Sequence, residues 1–154
     1  MEITLKLNGK PYTAVAQPHT QLLEFLRDAG CKSVKCGCET SGCGLCTVHM
    51  DGRPVLSCSV LAVQAAGHTI DTLEGLQEQA ALFGGFLADE GGEQCGFCNP
   101  GFIMNVLALE KELGRDASDE EILEYLAGNM CRCTGYQSQL RAIRKYMARE
   151  EGNA

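Results

Sequence analysis

Four cysteines in the first half of the chain have a spacing that suits metal coordination. They form a C-x₄-C-x₂-C run, followed after eleven intervening residues by a fourth member, and are Cys38, Cys43, Cys46 and Cys58. Three thiolates from one tight loop and a fourth from a distant position is an arrangement that binds a [2Fe–2S] cluster, whereas zinc ligands usually come as two separated pairs. Glycines among these cysteines would let main-chain amides approach the sulfurs and tune the cluster. We therefore predict a [2Fe–2S] cluster in this loop.

Four more cysteines in the second half form two close pairs. The pairs are Cys95 with Cys98 and Cys131 with Cys133. Two such pairs suit zinc as well as a second cluster, so the spacing leaves both open. Cys98 directly precedes a predicted helix start, where free N–H groups and the helix dipole would stabilise a thiolate. Arg132 lies between two of these cysteines and either adds a cation to the site or faces solvent.

The cysteine count itself restricts the class of protein. Ten cysteines in 154 residues are fewer than a small disulfide-stapled domain carries but more than structural thiols require. Residues 1–7 alternate polar and apolar like a strand rather than forming a basic and apolar leader, and residues 55–63 and 102–109 are too short to span a bilayer. We therefore expect metal-bound thiols in a reducing cytoplasm and no membrane. A formal net charge of −7 argues against nucleic acid as a partner.

The first half has the pattern of strands and turns around one helix. Asn8-Gly9 and Asp51-Gly52 favour tight hairpin turns, and Thr20 and Gly30 bound the helix as its caps. The predicted strands are residues 2–7, 12–16, 47–50, 53–58 and 69–73. This pattern predicts a sheet domain over residues 1–74.

The second half changes to helical spacing. The first predicted helix starts at Leu76 and ends at Gly91-Gly92, and the second covers residues 101–113. The third is capped at Ser118 and ends near Gly128, and the last carries Leu140, Ile143 and Tyr146 or Met147. Asn99 followed by Pro100 predicts an N-cap, and Ser118 with Glu121 predicts a capping box. Residues 75–154 are therefore predicted to form an all-α four-helix bundle, which makes the whole chain α+β.

Three segments resemble a known family in the same order along the chain. They are residues 38–48 (CETSGCGLCTV), residues 94–101 (QCGFCNPG) and residues 131–136 (CRCTGY). They are similar to the iron–sulfur subunit of the molybdenum hydroxylases, the xanthine dehydrogenase and aldehyde oxidoreductase family. The resemblance covers essentially the whole chain and favours a second cluster over zinc.

The resemblance implies a β-grasp, plant-type ferredoxin domain followed by a helical domain, with one [2Fe–2S] cluster in each. It assigns the first cluster to Cys38, Cys43, Cys46 and Cys58, and the second to Cys95, Cys98, Cys131 and Cys133. It also implies that the helical-domain cluster faces molybdopterin in a large partner subunit, with Gln94 and Cys133 near the pterin. Electrons would then pass through both clusters to FAD on another subunit of a hetero-oligomer.

Several features remain outside these assignments. Cys31 and Cys36 are spare thiols, and Cys36 is either a competing ligand, an oxidisable thiol or a partly buried side chain. Phe97, Phe102 and Ile103 are each expected in the core, with a surface that faces a partner as the alternative. The sequence contains no nucleotide-binding or nucleophile motif, so no catalytic residue is predicted in this chain.

The substrate of the complex is the least defined of these predictions. A purine such as xanthine, or another N-heterocycle, is favoured, with aldehyde or carbon monoxide as alternatives. A stand-alone electron carrier and a zinc-stabilised interaction module are the competing functions. Two oxidised clusters would bring the formal charge to about −11, so we expect Arg132, Lys32 and Lys35, or cations on partners, to offset it.

Overall fold

The first two strands form the hairpin that Asn8-Gly9 predicts. In the computed structural model, which describes residues 1–150, β1 (Glu2–Leu7) pairs antiparallel with β2 (Lys10–Val15). Asn8 and Gly9 have φ of 49° and 80°, the left-handed conformation that this turn requires. Ile3, Leu5 and Leu7 are buried while their neighbours are exposed, so one face of β1 packs on the core.

A mixed five-stranded sheet forms the first half of the molecule. Its remaining strands are β3 (Thr47–Met50), β4 (Arg53–Leu56) and β5 (Thr69–Asp71), and the order across the sheet is β2-β1-β5-β3-β4. Strands β1 and β5 are parallel, and the other pairs are antiparallel. Helix α1 (Leu22–Asp28) contributes four buried side chains to the same core.

Three local predictions in this half are wrong, one of them the strand 69–73, which ends at Asp71 before a 3₁₀ helix at Leu73–Gly75. Thr20 does not cap α1; its Oγ1 accepts a hydrogen bond from the Gln17 main-chain N–H, and Gln21 occupies the cap position without a side-chain bond. The predicted strand 53–58 ends at Leu56, because the chain turns into a short 3₁₀ helix, Ser57–Ser59. This turn carries Cys58 out of the sheet and towards the cysteine-rich loop.

Four helices form the second half, as predicted. They are α2 (Gln77–Asp89), α3 (Asn99–Leu113), α4 (Asp119–Tyr125) and α5 (Gln137–Met147). The Ser118 and Glu121 capping box is present at α4. Asn99 is not the N-cap of α3, because the helix begins at Asn99 and Cys98 occupies the cap position; Asn99 Nδ2 donates to Glu93. Residues 151–154 of the predicted bundle lie outside the described residues.

The α+β fold class is confirmed, and each half has its own hydrophobic core. Buried side chains of residues 3–70 form the first core, and those of residues 80–147 form the second. The predicted boundary near residue 74 falls between the cores, but it stays a prediction because α3 also packs on the sheet: His49 Nε2 lies 2.7 Å from the Met104 carbonyl oxygen. Within residues 1–150, no helix is long and apolar enough to cross a membrane.

Candidate iron–sulfur sites

The first cysteine group lies in the loop that joins α1 to β3. Cys38, Cys43 and Cys46 come from this loop, and Cys58 reaches it from the 3₁₀ turn after β4. All four line one narrow cavity, together with Cys36. The fold therefore brings the three-plus-one set of the sequence pattern to one place.

Main-chain amides and burial act differently on the thiols of this group. Hydrogen bonding from the Thr40 main-chain N–H lowers the pKa of Cys38 to about 6. Burial raises the pKa of Cys46 to about 11. Cys38 is thus an outer thiol with N–H donors directed at its sulfur, and Cys46 is an inner thiol screened from water. Such donors also hold a coordinated thiolate in place.

The second group is assembled from two loops at one end of the bundle. Cys95 and Cys98 precede α3, and Cys131 and Cys133 lie between α4 and α5. The Cys133 and Cys95 sulfurs are 3.6 Å apart, and the Cys98 and Cys131 thiols are within hydrogen-bond contact. Gln94 Nε2 donates to the Cys133 carbonyl oxygen at 3.1 Å, which braces one loop against the other.

The helix start does not by itself make Cys98 acidic. Burial raises the pKa of the Cys98 thiol to about 12, with the nearby Cys131 as the next contribution. The penalty of burying a lone thiolate therefore outweighs the expected stabilisation by the N-terminus of α3. Coordination to a metal deprotonates a thiol regardless of this penalty.

In both groups the thiols approach one another in pairs. The close pairs are Cys38 with Cys43, Cys46 with Cys58, Cys95 with Cys133, and Cys98 with Cys131. Among residues 1–150, no group of three or more His, Cys, Asp or Glu side chains is arranged to hold a metal ion. Two pairs per group suit a binuclear cluster held by four thiolates, in which each of two irons takes two sulfurs. The donor set therefore fits a [2Fe–2S] cluster at each site.

A main-chain hydrogen bond joins the two groups. The Met130 N–H, next to Cys131, donates to the carbonyl oxygen of Cys43 at 2.9 Å. The Asn105 side-chain amide on α3 supports this junction by donating to Thr47 Oγ1 at 3.2 Å and to the Asn129 side-chain oxygen, Oδ1, at 2.8 Å. Sequence patterns did not predict the hydrogen bond between Met130 and Cys43, because these two residues are more than 80 positions apart.

The helix of the second group also packs directly on the loop of the first. An added Cβ on Gly101 in α3 would lie 2.3 Å from the Gly44 carbonyl oxygen, so no larger residue fits there without movement. Gly44 itself has a φ of 72°, which favours glycine. A glycine early in α3, where helix propensity disfavours it, was the signal that the sequence offered for this approach.

The charged and spare residues take varied positions. Lys35 Nζ lies 5.8 Å from the centre of the Phe97 ring, which joins the first loop to the second. Phe97 is about half exposed, so its predicted place in the core is wrong, whereas Phe102 and Ile103 are buried. Lys32 donates to the Arg27 carbonyl oxygen. Arg132 and Cys36 are exposed, and Cys31 is buried.

Comparison with known protein families matches both halves. The family described as "2Fe-2S iron-sulfur cluster binding domain" matches residues 5–78, and the family described as "[2Fe-2S] binding domain" matches residues 72–144. The xanthine dehydrogenase iron-sulfur-binding subunit of Escherichia coli O157:H7 is 46% identical over 144 residues, which cover 92% of this chain and 91% of the relative.

Solved structures agree with these matches. Quinoline 2-oxidoreductase from Pseudomonas putida 86 superposes with a TM-score of 0.86 at 37% identity, covering 96% of this chain and 92% of that chain. The aldehyde oxidoreductase of Desulfovibrio desulfuricans ATCC 27774 gives a TM-score of 0.87 at 33% identity, covering 96% of this chain and 17% of that chain.

Proposed function

Because the chain belongs to the iron–sulfur small subunits of the molybdenum hydroxylases, we propose that it carries electrons from a molybdopterin centre on a large subunit to FAD on another subunit. The chain is a non-catalytic electron-transfer subunit of an oxidoreductase complex. A bound [2Fe–2S] cluster accepts and releases one electron at a time. The protein's own residues fix the positions of the two clusters and the path between them.

The proposed ligands are the two cysteine groups. Cys38, Cys43, Cys46 and Cys58 hold the first cluster, and Cys95, Cys98, Cys131 and Cys133 hold the second. Convergence of each group from separate loops, with the sulfurs in close pairs, supports this assignment. Main-chain amides around Cys38 hydrogen-bond its sulfur and help to set the potential of the first cluster.

The hydrogen bond from the Met130 N–H to the Cys43 carbonyl is the observation that carries the proposal. It joins a ligand of the first group to the residue beside Cys131, a ligand of the second. The two sites are thus connected through a few covalent bonds and one hydrogen bond. Two independent metal-stabilised modules would have no need to hold their metal sites against each other, whereas electron transfer between two clusters depends on keeping them close.

The outer end of the path is the second group. Cys133 and Cys95 are exposed, so this cluster is the one that a large subunit reaches. Gln94, which is bonded to the Cys133 carbonyl, is proposed to lie at the pterin together with Cys133. The first group is the next carrier in the proposed path and passes electrons on towards FAD.

We further propose an N-heterocycle as the substrate class, with a purine such as xanthine included. The names of the xanthine dehydrogenase subunit and quinoline 2-oxidoreductase support this class, and the aldehyde oxidoreductase keeps aldehydes as the alternative. Selectivity is expected to reside in the large subunit, because this chain offers no catalytic residue. Clustered free thiols that serve as ligands also favour the reducing cytoplasm as the location of the complex.

Purification under anaerobic conditions should yield this chain in a stable complex with molybdenum- and flavin-containing subunits. Each chain should carry about four iron and four acid-labile sulfide, because two binuclear clusters each contribute two of each. Addition of the substrate should bleach the visible absorption of both clusters before the flavin is fully reduced.

Two results would contradict this proposal in different ways. Zinc without acid-labile sulfide would show that the two cysteine groups are structural metal sites and not clusters. A monomer with four iron that contacts its redox partners only transiently would indicate a stand-alone electron carrier.

Removal of the Met130 N–H should slow electron transfer between the clusters. Met130→Pro deletes the donor to the Cys43 carbonyl and should also cost about 1 kcal/mol of stability, the usual net value of a hydrogen bond. Met130→Ala is the matched control because it keeps the N–H and removes only an exposed side chain. Stopped-flow absorption of the two clusters measures the transfer rate. Equal rates in the two variants, with both clusters present, would exclude this hydrogen bond from the path.

A further inference from the structure

A fifth cysteine shares the cavity of the first cysteine group. Cys36 lines the same narrow cavity as the proposed ligands of the first cluster, and it is exposed to solvent. Its sulfur lies 3.8 Å from the carbonyl oxygen of Cys38, so the side chain is placed beside the main chain of a proposed ligand. A [2Fe–2S] cluster takes four protein sulfurs, which leaves the Cys36 thiol without an assigned role at this site.

The proposed ligands of the first cluster differ in how far water reaches them. Cys43 and Cys46 are 6% and 4% exposed, whereas Cys38 and Cys58 are only half-buried. Electrophiles and oxidants in solution attack accessible thiolates first. Chemical damage therefore reaches the two outer ligands before the inner ones, and Cys36 lies two residues from one of these outer ligands.

The segment that carries Cys36 and Cys38 is held against the site by its central residue. The Gly37 N–H, which belongs to the peptide bond that follows Cys36, donates to the sulfur of Cys43. An added Cβ on Gly37 would lie 2.7 Å from Leu45 Cδ2 and 3.4 Å from the Cys43 sulfur, so Gly37 packs directly on a proposed ligand. One thiol thus lies on each side of a residue that already contacts the site.

Gly37 also gives this segment the freedom to present either thiol. Glycine has no Cβ, so rotation about its main-chain bonds is less restricted than in any other residue. Such rotation exchanges Cys36 for Cys38 without displacing the buried ligands. Cys58 has no comparable neighbour, because the other spare thiol, Cys31, is buried in the core beneath the sheet.

We propose that Cys36 is a reserve ligand of the first cluster, which takes the place of Cys38 when the Cys38 sulfur does not hold iron. In the exchange, the bond between iron and the Cys36 sulfur replaces the one to Cys38. The proton of the Cys36 thiol goes to solvent, and no atom is oxidised or reduced. This inference rests on the proposed function, since it requires the first cluster, and it means that the electron path survives the loss of an outer ligand.

Alanine substitutions in the full chain, purified under anaerobic conditions, test the exchange because alanine cannot bind iron. We expect Cys38→Ala to retain about four iron and four acid-labile sulfide per chain, with both cluster signals in electron paramagnetic resonance. Cys38→Ala combined with Cys36→Ala should fall to about two iron and two sulfide. Cys58→Ala is the matched control: it removes the other half-buried ligand and should also fall to about two iron. The signal of the second cluster verifies that each variant is folded.

Thiol labelling identifies the sulfur that replaces Cys38. Iodoacetamide should modify Cys36 in the wild-type chain with both clusters bound, because this thiol is exposed and holds no iron there. In Cys38→Ala, modification of Cys36 should fall about tenfold, because a sulfur bound to iron is no longer a free nucleophile. Mass spectrometry of the digested protein measures the modified fraction.

Each other outcome overturns the inference. Loss of the first cluster in Cys38→Ala to the level of Cys58→Ala would show that Cys36 does not reach the iron. Retention of the first cluster in the double variant, or equal labelling of Cys36 in Cys38→Ala and the wild type, would assign the replacement to another residue. Loss of the first cluster in Cys36→Ala alone would make Cys36 a primary ligand. A wild-type chain with zinc and no sulfide would instead overturn the proposed function.

Discussion

Gly101→Ala should separate the two halves of the molecule at the point where they meet. The added methyl group would lie 2.3 Å from the Gly44 carbonyl oxygen and 2.9 Å from the Leu45 Cα. Both are main-chain atoms, so no side-chain rotation relieves the contact, and α3 must move away from the first cysteine loop. Overpacking of this kind typically costs about 1–3 kcal/mol. Thermal unfolding should show this loss, and electron transfer between the clusters should slow because the Met130 to Cys43 hydrogen bond lies at the same junction.

Gly84→Ala provides the matched comparison. Gly84 lies in α2, and an added Cβ there meets nothing within 4 Å. Replacing an unconstrained helical glycine with alanine usually stabilises a protein by about 0.4–1 kcal/mol. The same substitution should therefore have opposite effects on stability at the two positions. A Gly101→Ala variant that is as stable as Gly84→Ala would show that α3 does not pack closely on the loop that carries the first cysteine group.

Local sequence signals correctly predicted the turns and the helix cap that depend only on neighbouring residues. Asn8-Gly9 and Asp51-Gly52 both adopt the positive φ angles of tight hairpins. The Ser118 capping box also forms as predicted, because its two hydrogen bonds join residues three positions apart. Such signals depend on a few neighbouring residues and need no information about the rest of the fold.

Local signals failed at two residues near the start of α3. Asn99 has a side chain suited to an N-cap, but α3 already begins at Asn99 with Cys98 in the cap position, and Asn99 Nδ2 donates to Glu93, six residues earlier. Phe97 has an apolar ring, but its position near Lys35 on the other half of the molecule leaves it half exposed. The contact between Phe97 and Lys35 is set by the packing of two loops, which no local pattern encodes.

The sequence could predict the residue types of the proposed ligands, but it could not predict the contact between the two cysteine groups. The spacing indicated the first cysteine group, and the family resemblance was needed to favour a cluster over zinc in the second. The junction between the groups depends instead on Asn105, Asn129 and Thr47, whose side chains carry no cofactor signature. Their function follows only from the position of α3 across the end of β3.

Serine substitutions should separate the roles of the two clusters. Cys131→Ser removes a proposed ligand of the second cluster, and Cys43→Ser removes one of the first. Each variant should retain about two iron and two sulfide per chain, since one binuclear cluster remains. Electron paramagnetic resonance of the reduced protein should then show one cluster signal in each variant, and the missing signal should differ between them.

Because electrons are proposed to pass through the second cluster first, substrate should reduce different centres in the two variants of the complex. Cys131→Ser removes the cluster nearest to the large subunit, so substrate should reduce neither the remaining cluster nor the flavin at an appreciable rate. Cys43→Ser leaves that cluster in place, so substrate should still reduce it while the flavin stays oxidised. Cys36→Ser is the matched control, because it changes an exposed thiol of the first loop outside the proposed ligand set and should retain both signals. Loss of the first cluster in Cys36→Ser but not in Cys43→Ser would reassign the ligands, and substrate reduction of the first cluster in Cys131→Ser would reverse the proposed order.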